Sequence, residues 1–331
     1  MQRFLALYRH VVNYLWRNPL LVLLLLIVIV SRGMLLYESI IPFSFDHGKD
    51  SLAVMHLLAT YSPPLIGPWT SIPGLYFGPG WYYLLAPAFA LGGYAPVAGA
   101  AMMVVLLLIQ VVLAYRFWGF WAAAMIACAA IWFMFSTSAW NPFPMPMITL
   151  GIVLLLQHTA KAKKLGVWSA IGLGVLAGFG FHFSSAYAIF YPLAIGAFLF
   201  LQKVRVTLLT VLVLIAGAGI AFVPQLVFEL RHDFVQSKAI IAYFSQGGSG
   251  QAFSFQKVGE VISVTAVELR NAITPELRGL PAAVVDWTKI VVVLIFVGVG
   301  LKRKMWQQQK FKQSVLLAVL FVVIPVAAYF F

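Results

Sequence analysis

The chain has 331 residues, of which 63% are apolar and 9% charged, and its mean hydropathy is +0.96. A soluble globule carries about 25% charged residues, so the composition excludes one and defines an integral membrane protein. The formal net charge of +13 does not point to nucleic acid, because the Lys and Arg residues fall in short clusters between apolar runs, the positive-inside pattern.

Arg3, Arg9 and Arg17 precede the apolar run from Leu20 to Val30. No small-x-small cleavage site follows and apolar character resumes at Met34, so the run reads as a retained first span and not as a signal peptide. A bilayer crossing takes about 20 apolar residues. Spans are therefore expected near 19–41, 95–115, 117–136, 143–158, 165–182, 184–201, 206–228, 287–301 and 313–331, nine in all. With the N-terminus inside, four basic groups face the cytoplasm: Arg116; Lys161 with Lys163 and Lys164; Lys203 with Arg205; and Lys302 through Lys312. All nine acidic residues then lie on the other side.

Between the first two spans, Gly78 to Gly93 would pass a hydropathy scan as a helix. Counting it as a crossing would invert the downstream loops and put the Lys161 and Lys302 clusters outside. The segment is therefore expected to lie in the interface or to dip in and return, which its Gly, Pro and aromatic content suits. The first outer loop then covers about 42–96, and a second outer segment covers about 229–286. Cys128 sits in the apolar run from Ala122 to Ile131 and, as the single cysteine, can form no intrachain disulfide. Gly172, Gly174, Gly178 and Gly180 lie within a span with no strand before them, so they read as small-residue helix packing and not as a nucleotide fingerprint.

The candidate chemistry collects at the outer surface. Phe45-Asp46-His47-Gly48-Lys49-Asp50 follows the first span. Asp46 and Asp50, four apart, share a face of any helix that begins there, with Lys49 beside them; the plain alternative is that Asp46 caps the helix start. Glu229, Arg231, His232 and Asp233 crowd the outer end of the seventh expected span. They are either a solvated helix end or, through Arg231 and His232 with Lys49, a set of cationic donors for a lipid phosphate. His182 is either a satisfied core histidine or a substrate contact, Asn141 in Trp140-Asn-Pro-Phe143 reads as a turn former, and Arg32 inside the first span is costly unless it faces the protein or snorkels. No His/Cys/Asp cluster has metal spacing, and no phosphate loop or Gly-x-Ser-x-Gly occurs.

These features resemble the GT-C glycosyltransferases, in particular the family of dolichyl-phosphate-mannose protein mannosyltransferases and bacterial aminoarabinose transferases of lipid A. The resemblance rests on Ser31-Arg32-Gly33 at the end of the first span, Asp46 at the first acid of the outer acidic motif and Lys49 three positions on. It also rests on the Pro-bearing segments Ser62-Pro-Pro-Leu-Ile-Gly67 and Gly78-Pro-Gly-Trp-Tyr-Tyr-Leu-Leu-Ala-Pro87, and on Phe228-Glu-Leu-Arg-His-Asp-Phe234. The chain departs from the family where His47 stands at the second acid and Asn141 at an Asp. It also ends within an apolar run, with fewer spans than is usual there, which is the expectation for a truncated or short member.

The resemblance implies an all-α polytopic fold, a GT-C-type bundle of about nine transmembrane helices with juxtamembrane helices in the first outer loop, all in one domain. It implies transfer of a sugar from a polyprenyl-phosphate donor to an acceptor hydroxyl on a glycan, lipid or protein at the outer face of the cell membrane. Asp46 would be general base with inversion, Lys49, Arg231 and His232 would hold the leaving phosphate, and Asp50, His182 and Glu229 would make further substrate contacts. No cofactor is required beyond the lipid-linked donor itself. A transporter or flippase of a lipid-linked solute, and a non-catalytic scaffold of a glycan-assembly complex, are the competing classes.

Overall fold

A computed structural model of the protein describes residues 12–245 and 309–328, together with positions 9, 260, 263 and 264. Among these residues the chain is helical, with no strand and two isolated bridges, Trp69 with Tyr76 and Lys164 with Arg205. The helices are α1 (Pro19–Tyr37), α2 (Phe45–Thr60), α3 (Gly80–Leu91), α4 (Val97–Trp118), α5 (Phe120–Cys128), α6 (Ala130–Thr137) and α7 (Met145–Ala162). They continue with α8 (Val167–Phe183), α9 (Ser185–Ala188), α10 (Tyr191–Leu201), α11 (Leu208–Arg231), α12 (Val235–Ser245) and α13 (Gln309–Ala328).

Four helices, α1, α4, α7 and α11, are long and apolar enough to cross a membrane, and the bent pair Phe120–Cys128 and Ile131–Thr137 adds a fifth if it is one span. Among the described residues the protein is all-helical, and these apolar helices are consistent with a membrane protein. Of the other expected spans, 165–182 forms α8 of 17 residues and 184–201 is divided into α9 and α10. Ala129 is extended between α5 and α6, which splits the run expected at 117–136, whereas Ser184, extended between α8 and α9, stands at the boundary expected between 165–182 and 184–201. The span expected at 287–301, and most of the second outer segment, lie outside the described residues.

The segment expected to form the first outer loop holds two helices, α2 of 16 residues and α3 of 12. At 1.5 Å per residue α3 rises only about 18 Å, short of the roughly 30 Å hydrocarbon core. Its length therefore agrees with the charge argument that this apolar segment does not cross by itself.

The chain packs as two compact units. The first comprises α1, most of α2, the C-terminal part of α3, and α4 to α6. Its core is Leu21, Leu24 and Val28 of α1 against Val104, Leu107, Val111 and Ala114 of α4 and Ala123 and Ala127 of α5. The alanines let the α4 and α5 backbones approach, which in lipid is the main source of helix association, since tails are as apolar as leucine. The opposite side of α1 leaves Leu23, Leu26 and Val30 about half exposed, a surface suited to lipid.

The second unit comprises residues 59–84, α7 from Ile148 onward, and α8 to α13. Its tightest seam joins α8 to α11. A Cβ on Gly174 would collide with the Leu214 carbonyl, and one on Gly178 would sit 2.7 Å from the Ala218 carbonyl oxygen, so only glycine lets the two backbones touch. Tyr191 anchors α10, its hydroxyl 2.8 Å from Thr149 Oγ1 and its ring 5.8 Å from Phe321 of α13. The loop before α3 doubles back on itself through Gly67 N–H to Phe77 O and Phe77 N–H to Pro68 O, both 2.8 Å. Gly74, at φ +81°, makes the turn, a backbone region that costs side-chain-bearing residues energy.

Candidate functional site

In the first unit the acidic cluster is built on the start of α2. Ser44 immediately precedes the helix and accepts the Gly48 N–H at 3.1 Å through its carbonyl. The Ser44 N–H in turn donates to His47 Nδ1 at 3.1 Å, with the Ser44 hydroxyl 2.7 Å from the same nitrogen. This reproduces half of a capping box, with histidine in the place usually held by glutamate. Because Nδ1 accepts, the proton sits on Nε2, which donates to Ser138 Oγ at 2.8 Å and ties the helix start to the residue after α6. Burial pushes the His47 imidazole below its ordinary value, opposed in part by the Asp46 carboxylate.

Since Ser44 and His47 do the capping, Asp46 does not. Its side chain is 49% exposed and, among the described residues, its one hydrogen-bonding and ion-pairing partner is Lys49 Nζ at 3.4 Å. Lys49 also lies 3.9 Å from Asp50, whose carboxyl is 3% exposed. The helix thus carries a lysine between one buried and one half-exposed carboxylate, on the shared face that their four-residue spacing predicts. An exposed pair of this kind contributes at most about 1 kcal/mol to stability, so its geometry matters more for what the exposed carboxylate can meet.

The other expected site residues belong to the second unit and divide by role. Glu229 is buried near the end of α11 and accepts three hydrogen bonds: Gln236 N–H at 2.9 Å, Ser237 N–H at 2.9 Å and Ser237 Oγ at 2.6 Å. Those amides are free donors of the first turn of α12, and a carboxylate there is favoured by both capping and the helix dipole. Glu229 therefore fastens α12 to α11 across a turn in which Asp233 and Phe234 both take positive φ. Arg231 and His232 are exposed at this corner; His232 stacks on Phe228 with ring centroids 4.1 Å apart and places Nδ1 2.9 Å from the Phe228 carbonyl oxygen.

His182 is 2% exposed and has backbone partners on both nitrogens. Gly80 N–H donates to Nδ1 at 2.8 Å, so the proton is on Nε2, which donates to Ala221 O at 2.8 Å. The imidazole satisfies a free amide at the start of α3 and links it to α8 and α11. A Cβ on Gly78 or Gly80 would run into the ring, which explains why Gly-Pro-Gly stands there. This is a structural job for His182.

Two residues to which the sequence assigned no role matter here. His47 positions the helix that carries Asp46, and the signal was present as Ser-x-x-His at a helix start. Ser138, which accepts a hydrogen bond from His47 Nε2, carried no local signal, because only the tertiary fold brings it to α2. Among the described residues no group of three or more His, Cys, Asp or Glu side chains could hold a metal ion. The chain matches no known protein family, no curated protein and no solved structure.

Proposed function

We propose that the protein is a membrane glycosyltransferase of the GT-C kind, moving a sugar from a polyprenyl-phosphate donor to an acceptor hydroxyl at the outer face of the cell membrane. One observation carries the reading: the Asp46 carboxylate is half exposed at the start of α2, released from capping by Ser44 and His47, with Lys49 Nζ 3.4 Å away. Asp46 is the general base that takes the acceptor proton as its oxygen attacks the anomeric carbon, with inversion. The bond to the lipid phosphate breaks in the same step. Lys49 neutralises the departing phosphate, which then needs no proton. Arg231 and His232, exposed at the end of α11, offer the same phosphate chemistry on the second unit, whereas the buried bonds of Glu229 and His182 favour support over substrate contact for those two.

A positioned base contributes about 10² to 10⁴ in rate, which sets the expected effect. With purified full-length protein in lipid and a panel of radiolabelled polyprenyl-phosphate sugars, Asp46→Asn should lose turnover by that factor while donor binding persists. Donor binding without transfer in the wild type would favour a carrier or a scaffold, and full activity in Asp46→Asn would remove Asp46 from the chemistry.

A further inference from the structure

Arg32 lies in α1, five residues before its end at Tyr37, and is 2% exposed. Its Nη1 donates to Ser31 Oγ at 2.9 Å and its Nε to Ser136 Oγ at 3.3 Å. The Phe133 ring lies under the guanidinium, 4.5 Å from its carbon. Both hydroxyls have their own protons committed to backbone carbonyls, Ser31 to Ile27 O and Ser136 to Phe133 O, so each meets the arginine only as a neutral acceptor. Nη2 is buried with no hydrogen-bond partner. Among the described residues no carboxylate pairs with Arg32.

A guanidinium stays charged under all ordinary conditions. In a membrane span such a charge is costly and is normally compensated by an anion or by polar backbone. Ser31, Ser136 and the Phe133 face hold one edge of the planar group in place, and Nη2 with its two N–H bonds is the edge left over. That arrangement is a preformed half of the bidentate contact by which arginine takes a phosphate or carboxylate. Depth narrows the ligand further. Five residues of helix are about 8 Å, so Arg32 sits just below one end of the span, at the level a lipid phosphate reaches from the interface, and the group is shut off from water.

We propose that Arg32, with Ser31 and Ser136 as its positioning hydroxyls, is a binding site for the phosphate ester of a membrane lipid. The inference does not rest on the transferase reading, since a carrier or a scaffold would use the same site. It differs from the phosphate contacts proposed for Lys49, because Arg32 is buried in α1 and Lys49 belongs to α2.

The test uses the full chain in phosphatidylcholine nanodiscs with phosphatidic acid as the probe, its binding followed by native mass spectrometry. Wild type should bind phosphatidic acid, Arg32→Gln should bind it at least about tenfold more weakly, as loss of a charged hydrogen bond predicts, and the exposed Arg17→Gln should bind as wild type does. Equal binding by Arg32→Gln, or an equal loss in Arg17→Gln, would overturn the site. Absence of binding by wild type would overturn it too, because the chain itself would then supply the counter-charge. Displacement by millimolar inorganic phosphate would overturn a lipid as the source. Should Arg32→Gln fail to fold, Arg32→Lys decides: it keeps the charge and loses the fork, so severalfold weaker binding supports the site and unchanged affinity overturns it.

Discussion

His47 is the residue on which the candidate site turns. Its neutral imidazole accepts from the Ser44 amide and donates to Ser138, and protonation would break the first of these bonds, since a charged ring has no acceptor. Burial holds its folded value below the ordinary histidine pKa of about 6.5. As pH falls through that value the unfolded chain takes up a proton that the folded chain refuses until lower pH, so this residue's contribution is intact above about 6.5 and declines below it. The melting temperature of the wild type in detergent should therefore fall from pH 7 toward pH 5 more steeply than that of His47→Gln. Parallel slopes in the two proteins would remove His47 from the pH response. The same reasoning separates Asp46 from its neighbours: with capping done by Ser44 and His47, its carboxylate is left for other chemistry.

At the scale of elements, the α8–α11 seam shows how a membrane helix pair is held without a hydrophobic driving force. Gly174 and Gly178 face the Leu214 and Ala218 carbonyls at distances that admit no Cβ, so close van der Waals contact supplies the attraction. Gly174→Ala would push the two backbones apart, at the roughly 1 to 3 kcal/mol typical of overpacking. Gly196 in α10, where a Cβ would meet nothing within 4 Å, is the matched control: its replacement by alanine should be neutral or gain up to about 1 kcal/mol from helix propensity. Thermal unfolding of the two variants in the same detergent measures the contrast, and a tolerant Gly174 would mean the seam relaxes. Glu229 works at this scale as well, since one carboxylate satisfies the start of α12 from the end of α11.

For the whole molecule, charge placement is the strongest constraint. The positive-inside reading expects Lys163 to face the cytoplasm and Ser62 the exterior, with α3 not crossing. In a Cys128→Ser background, an impermeant maleimide applied to intact cells should label Ser62→Cys and leave Lys163→Cys unlabelled until the membrane is opened. The reverse pattern would mean that the positive-inside reading is inverted, and labelling of both from outside would mean that the basic loop lies on the same side as the first outer loop. The outcome bears directly on the proposed function, because Asp46 belongs to the same loop as Ser62.

The sequence by itself determined the class of protein, the helical architecture, the short helix at Gly80–Leu91 and the pairing of Asp46, Lys49 and Asp50. All of these are local or additive: apolar run length, loop charge and a four-residue helical spacing are properties of contiguous sequence. The boundary at Ser184 was legible as the gap between two expected spans, but the break at Ala129 inside the run expected at 117–136 was not, because no proline or glycine stands there to mark it. Which polar residues are structural was likewise decided only by the tertiary fold. Glu229 meets its donors across a turn, His182 meets Gly80 and Ala221 from segments distant in sequence, and Ser138 reaches His47 from beyond α6. Hydrogen bonds between groups far apart in the chain leave no periodic trace in the sequence, so the same histidine or glutamate reads equally as ligand or as core until its partners are seen.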